Sequence, residues 1–295
     1  MITRAHIQNF RCLVDVDLTF EPLTILVGPN ASGKSALIAA IDPQSRLDDP
    51  QNSFRGSERV QIQLALDGGS LQLRQHVSYA LSPFHLDIDK LRAANQVQEA
   101  LVLVPDGRNF TNVFATLTRA QQGELVRAFT TLVPMYLDVV ARPSAIGTHR
   151  FVFQDRWQPS LWYEPHQVSD GSILLLAFLT LQYQRTPVDI IAIEEPERGM
   201  HPYLVGELIG LLRKLATGKL GPKPIQVILA THSAELLEFA EPKEVRFLSR
   251  RDADGATQVE LAPTDSPDWA KAFREYQQSL GAIWLSGSLG GVPGT

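Results

Sequence analysis

The sequence has almost no cysteine. Cys12 stands alone among 295 residues, so no internal disulfide can form, and a reducing cytoplasm is the natural setting. Cys12 itself sits in an alternating stretch and reads as a small, half-buried packing residue. Long apolar runs are also missing. The longest, Ile173 to Leu181, is about half of what a membrane-spanning helix needs. The opening stretch, Met1 to Phe10, is polar and mixed and lacks the apolar centre of a secretory leader. The chain is therefore read as cytoplasmic, with no membrane partner. Basic charge is not in excess: 27 Lys and Arg stand against 32 Asp and Glu, a net charge of -5. That balance gives no support to a generally basic nucleic-acid surface, although it leaves a local basic patch open. Internal repeats, heptads and long linkers are absent, which excludes solenoids and coiled-coil arms. What remains is 44% hydrophobic and 20% charged, an ordinary globular composition with a substantial core, for which the length permits one large domain with two lobes or two small domains.

Two kinds of strand pattern appear. Ile2 to Phe10, Leu13 to Phe20 and Val60 to Leu66 alternate, and the last is expected to form a hairpin with Ser70 to Val77 across Asp67-Gly68-Gly69. Leu23 to Val27, Val188 to Ile193 and Ile225 to Ala230 are continuous apolar runs, the signature of strands buried on both faces. Helices are expected over Ser35 to Ile41, Ser172 to Gln184 and Pro202 to Thr217, and in most of Leu86 to Val140. A short strand is expected at Leu101 to Val104 and another at Arg150 to Gln154. Ser45 to Gly56 reads as a loop. Glu244 to Ser249 and Gln258 to Leu261 read as late strands around Asp254-Gly255. The predicted architecture is α/β, with a mixed, largely parallel sheet, an antiparallel β subdomain and a helical insert. One domain spans 1–265, with a nucleotide-binding lobe at 1–80 and 185–265 and a helical lobe at 81–184. A helix and a Gly-rich tail follow at 266–295.

The strongest chemical signal is Gly28-Pro29-Asn30-Ala31-Ser32-Gly33-Lys34-Ser35, which has P-loop spacing and lies between a buried strand and a helix. Glycines such as Gly28 and Gly33 let the backbone wrap a phosphate with its N–H groups, and the following helix N-terminus favours the anion. Lys34 is expected to reach the β- and γ-phosphates of ATP, and the Ser35 hydroxyl to hold Mg²⁺. Ile190 to Ile193 then ends in the acids Glu194 and Glu195. A buried strand does not end in paired acids without a cation or proton to handle. Neighbouring strand residues face opposite sides, so Glu194 is assigned to the metal side, through water, and Glu195 to the attacking water, as base or water-positioning group. His232, after the buried strand ending at Ala230-Thr231, is placed to contact a γ-phosphate. Ser169 in Val168-Ser169-Asp170-Gly171 reads as the N-cap of an apolar helix, whose free N–H groups can bind an anion.

The order of these motifs resembles that of ABC-type P-loop ATPases, and more narrowly the SMC, RecF and OLD-like branch. Ile7-Gln8-Asn9-Phe10-Arg11 is similar to that branch's opening strand, Gly28-Pro29-Asn30 to its P-loop start, and Val168-Ser169-Asp170-Gly171 to its signature motif. Glu194-Glu195-Pro196-Glu197 through Met200-His201-Pro202 is similar to its Walker B and D-loop, and Thr231-His232-Ser233 to its switch histidine. The resemblance covers about residues 1 to 250. It implies that two copies sandwich nucleotide, with Ser169 and Gly171 of one copy on the γ-phosphate held by Lys34 of the other. It also implies Arg11 and Asn30 near the nucleotide and His201 at the dimer interface. Glu194 stands where many relatives have aspartate, and Asp170 where transporters have glycine, which argues against a transporter subunit. Gln44, Gln51 and Gln154 are all candidates for the Q-loop glutamine.

Two functions follow from the resemblance. One is a homodimeric Mg²⁺-dependent ATPase serving DNA processing or anti-phage defence beside a separately encoded nuclease or toxin effector. The other is an ATP-gated scaffold that holds or releases a partner toxin with negligible turnover. DNA contact is left open: Arg142, His149, Arg150 and Arg156 form either a basic edge or scattered solvated charges. Nearby Trp157, Trp162 and Tyr163 read as packing residues.

Overall fold

A computed structural model describes residues 1–47, 49–54, 59–183, 188–221, 223–276 and 279–287. In chain order the elements are β1 (Ile2–Phe10), β2 (Leu13–Thr19), β3 (Leu23–Val27), α1 (Lys34–Ile41), β4 (Gln61–Leu66), β5 (Gln72–Leu73), β6 (Leu81–Phe84), α2 (Ile88–Arg92), β7 (Asn95–Gln96), α3 (Phe110–Thr116) and α4 (Arg119–Leu132). Then follow β8 (Tyr136–Ala145), β9 (Thr148–Asp155), β10 (Trp162–Tyr163), α5 (Asp170–Thr180), β11 (Ile190–Glu194), α6 (Pro202–Ala216), β12 (Gln226–Thr231), α7 (Ala234–Leu237), β13 (Val245–Arg250), β14 (Thr257–Leu261), α8 (Pro267–Glu275) and α9 (Leu280–Leu285). They group into two compact units, one of Met1–Pro83, Val188–Pro196 and Pro224–Thr295, the other of Phe84–Pro187 and Glu197–Lys223.

The first unit holds two sheets. One is six-stranded in the order β14-β13-β3-β12-β11-β6. Its centre is parallel, β11 on β12, β12 on β3 and β3 on β13, while β14 closes the edge antiparallel to β13. All of β3 and β12 is buried, as their unbroken apolar runs require. The other sheet is antiparallel, β2-β1-β4-β5. Helix α1 shares one apolar core with both, joining Leu37 and Ile41 to Ile7, Leu13 and Ile62 and to Ile228 and Leu248. The expected hairpin strand Ser70 to Val77 is reduced to β5 and a 3-10 turn at Arg74–His76. The cause is Arg74, which is buried and donates to the carbonyls of Ala40, Asp42 and Ser45. It thereby satisfies carbonyls at the C-terminus of α1 that no helical partner can reach.

The second unit is richer in strand than the sequence pattern suggests. A long antiparallel hairpin, β8–β9, carries β7 and β10 on β9. Phe110, Phe114, Phe129, Tyr136, Phe151 and Phe153 pack as a chain of ring contacts between this sheet and helices α3 and α4. Leu101 to Val104 is not a strand. Its backbone is satisfied by side chains instead: Asn109 accepts from Val104 N and donates to Val102 O, and Thr116 accepts from Ala100 N. Thr118 and Gln121 form a capping box that starts α4. Every residue of α5 after Asp170 is buried.

Helix α6 groups with this second unit rather than with the nucleotide-binding segments to which 185–265 was assigned. It buries Val205, Leu208, Ile209, Leu212 and Leu215, one face at helical spacing, and packs on α5. The segment after 265 carries two helices, not one, and α9 packs on α7 in the first unit. Gln184, residues 48, 55 and 56 of the expected loop, and 288–295 of the Gly-rich tail lie outside the described residues.

Candidate nucleotide site

The P-loop residues run from the end of β3 to the start of α1. Gly28 is required there by crowding: a Cβ would lie 2.2 Å from the Leu248 carbonyl oxygen and 2.7 Å from Ser32 Oγ. Gly33 caps α1 at φ 114°, a left-handed conformation that disfavours any L side chain. Lys34 Nζ donates to the carbonyls of Gly28 at 2.7 Å and Pro29 at 2.9 Å, so the ammonium lies across the loop. Asn30, Gly33, Lys34, Ser35, Glu194 and Glu195 line one cleft of about 300 Å³, at the lower end of the range for small-ligand sites, ~300–1,000 Å³.

The two acids reach that cleft in a way the alternation rule did not foresee. Glu194 is the last residue of β11, in register with Ala230. Glu195 lies beyond the strand at φ 49°, where its N–H still donates to Ala230 O at 2.8 Å. Strand alternation therefore does not apply to it, and the left-handed turn brings both carboxylates to the same cleft. A non-glycine residue held at positive φ costs conformational energy, and such residues cluster at functional positions. Glu195 Oε1 is 3.2 Å from His232 Nδ1, both side chains being about half exposed.

The donor set suits Mg²⁺ bound through few protein oxygens and the phosphates of a nucleotide, the usual arrangement for that cation. Ser35, Glu194 and Glu195 bring hard oxygen donors to the cleft. Among the described residues no cluster of three or more His, Cys, Asp or Glu side chains forms a metal cage.

Other expected residues fall elsewhere. Arg11 does not line the cleft; it lies at φ 52° and its Nε donates to Asn52 Oδ1 at 2.8 Å. Gln44, Gln51 and Gln154 do not line it either. Ser169 and Gly171 belong to the second unit. Ser169 is exposed, and its Oγ caps α5 by accepting from Ser172 N at 3.3 Å. Gly171 is buried against the 199–200 turn, where a Cβ would lie 2.6 Å from Gly199 O. His201 caps α6 through Nδ1. Arg92, which sequence reasoning passed over, ties the Val168–Asp170 segment together by donating to Pro165 O, Val168 O and Asp170 Oδ1.

The four basic candidates do not form a free edge. His149 is buried on Asn112 Oδ1 at 2.6 Å, Arg150 pairs with Glu164, Arg142 lies 3.6 Å over the Trp162 ring, and Arg156 donates to Pro134 O. Trp157 is not a packing residue, being 75% exposed. Cys12, read as packing, both touches the core and lines the nucleotide cleft. Arg250 also lines it, and no local pattern in the sequence marks it.

Residues 81–238 match the family described as "AAA domain, putative AbiEii toxin, Type IV TA system", and residues 1–63 match an "AAA ATPase domain". A protein named OLD nuclease from Thermus scotoductus is 52% identical over 42 residues, 14% of this chain and 8% of that protein; the chain thus spans a small fraction of that relative. Among solved structures, an SMC head domain from Thermotoga maritima has TM-score 0.55 at 14% identity over 88% of this chain and 98% of its own. An Smc head from Pyrococcus furiosus, bound to the C-terminal domain of ScpA, has TM-score 0.59 at 13% identity over 94% and 99%. An SmcHead bound to the C-winged helix domain of ScpA has TM-score 0.59 at 16% identity over 88% and 96%. The fold is that of an ABC-type P-loop ATPase head. Among the described residues no helix is long and apolar enough to cross a membrane.

Proposed function

The chain belongs to the AAA-domain family described as a putative AbiEii toxin of a type IV TA system, and on that premise we propose that it binds MgATP in the Gly28–Ser35 cleft and hydrolyses it. The carrying observation is the convergence of Lys34, Ser35, Glu194 and Glu195 on one cleft, with His232 beside Glu195. Lys34 and the P-loop N–H groups hold the phosphates, with Asn30 and Gly33 shaping the loop. Ser35 and Glu194 hold Mg²⁺, which supplies charge neutralisation at the transferred phosphoryl group. Glu195 orients and deprotonates the attacking water, and His232 holds the Glu195 carboxylate and contacts the γ-phosphate.

Two chains close head-to-tail on ATP, with Ser169 and Gly171 of one chain completing the cleft of the other. The exposed Ser169 hydroxyl at the start of an α-helix supports this, since a helix N-terminus favours an anion. Nucleotide state then governs a separately encoded nuclease or toxin effector in DNA processing or phage defence, a reading supported by the family description and the OLD nuclease match.

The test is ATP turnover per chain over a range of protein concentrations, with light scattering for mass. Turnover per chain that rises with concentration, lost in Lys34→Ala and in Ser169→Arg, supports the composite site. Tight MgATP binding with no turnover at any concentration overturns hydrolysis and leaves the ATP-gated scaffold.

A further inference from the structure

The P-loop is held from outside by a hairpin more than 200 residues away in sequence. Arg250, the last residue of β13, donates from Nε to Ala31 O at 2.7 Å and from Nη1 to Gly255 O at 2.5 Å. Its guanidinium thus bridges the middle of the P-loop to the β13–β14 turn. That turn is itself fixed: Arg251 N donates to Ala256 O, Gly255 N to Arg251 O, and Asp254 takes Arg251 Nε and Ala256 N. Thr257, at the start of β14, donates from Oγ1 to Ser32 O at 2.9 Å. Its side chain also fills the space beside Gly33, where a Cβ would meet Thr257 Oγ1 at 2.4 Å. Three successive loop residues, Ala31, Ser32 and Gly33, are therefore contacted from one hairpin.

The contacts fall where the loop most needs them. Ala31 is a non-glycine residue at φ 62°, and Gly33 lies at φ 114°. Left-handed residues persist only where surrounding structure over-determines them, and a loop that binds anions through its N–H groups must hold its carbonyls turned away. Arg250 and Thr257 take the two carbonyls between these left-handed positions. We propose that Arg250 is a positioning residue for nucleotide binding, which locks the P-loop by spanning Ala31 and Gly255. The inference rests on the MgATP reading given above.

A planar guanidinium donates from separate nitrogens held apart in a rigid fork, whereas a lysine ammonium carries all its donors on one nitrogen. Arg250→Ala is expected to raise the KM for ATP and the calorimetric Kd for MgATP at least tenfold, with kcat within threefold and a single cooperative urea unfolding transition retained. Arg250→Lys, which keeps the charge without the two-point span, is expected to resemble Arg250→Ala. Full recovery of affinity in Arg250→Lys, or unchanged affinity in Arg250→Ala, overturns the bracing role. Wild-type chain and Lys34→Ala separate the two failures. If wild type does not bind MgATP, the nucleotide reading falls. If wild type binds, Lys34→Ala does not, and Arg250→Ala binds as wild type, the bracing role alone falls.

Discussion

Glu195→Gln isolates one charge at the site. Glutamine has nearly the same size as glutamate and bears the same backbone cost at φ 49°, so the left-handed turn is not the variable. The Glu195 and His232 side chains are 45% and 53% exposed and 3.2 Å apart, and solvent-screened pairs of this kind contribute only about 0–1 kcal/mol. Unfolding free energy is therefore expected to change by less than ~1 kcal/mol. Turnover should respond on another scale. Removing a general base costs roughly 10²- to 10⁴-fold, which is about 2.7–5.4 kcal/mol of barrier at ~1.36 kcal/mol per tenfold. The assay is phosphate release at saturating MgATP beside urea unfolding and calorimetric binding on the same preparations. The expected outcome is unchanged binding, near-unchanged stability and at least a hundredfold loss of turnover. Turnover within threefold of wild type would refute the assignment of the base. A loss of stability of several kcal/mol alongside lost turnover would instead show that the carboxylate holds the turn after β11. Glu194→Gln is the companion variant and should chiefly raise the Mg²⁺ concentration needed for half-maximal rate.

Three further outcomes follow from the geometry. Cys12 is the only thiol and lines the cleft, so MgATP should slow its alkylation by N-ethylmaleimide several-fold in wild type and not in Lys34→Ala; equal rates with and without nucleotide would move the ATP site elsewhere. Gly28→Ala puts a methyl 2.2 Å from Leu248 O, and overpacking of this kind costs ~1–3 kcal/mol, so a lowered urea midpoint with loss of ATP binding is expected; an unshifted midpoint would contradict the close approach of the loop to β13. Burial pushes the His149 imidazole below its usual range, so its neutral form is favoured by folding. Stability from this group is therefore full above the ordinary histidine value of about 6.5 and is lost as pH falls through that value towards the depressed one. His149→Gln should flatten the fall in stability as pH drops below about 6.5; an unchanged slope would assign the acid sensitivity to other groups.

How much of this was legible in the sequence depended on the range of the interactions that fix each part. The strand Leu23–Val27, the glycines after it and the helix beginning at Lys34 follow one another directly in the chain, so their pattern could be read directly, although the contacts of Leu248 and Thr257 that crowd Gly28 and Gly33 could not. The buried parallel strands β11 and β12 were legible for a similar reason, since burial on both faces leaves an unbroken apolar run. The hairpin strand Tyr136–Ala145 was hidden because exposed Leu137, Arg142, Pro143 and Ala145 interrupt the alternation, so its first residues blended into the helical stretch before it. Leu101 to Val104 erred in the opposite direction: a short apolar run does not distinguish a strand from a loop whose backbone is satisfied by Asn109 and Thr116.

The site divides along the same line. Lys34, Ser35, Glu194 and Glu195 each sit at the end of a legible element, and all four line the cleft. Arg250 carries no local mark, because its place beside Ala31 is set by the pairing of β13 with β3, a contact that no nearby residue encodes. Gly171 shows why a motif glycine needs the structure beside it. The family resemblance implies a phosphate contact for it, yet the backbone of Gly199 and Met200 leaves no room for a Cβ at that position. Close packing alone therefore requires glycine there. A substitution at Gly171 would disturb the 199–200 turn whatever it did to nucleotide. Ser169 is exposed but caps α5, so its contribution to a partner's cleft is to be measured beside the stability lost with the cap, about 1 kcal/mol.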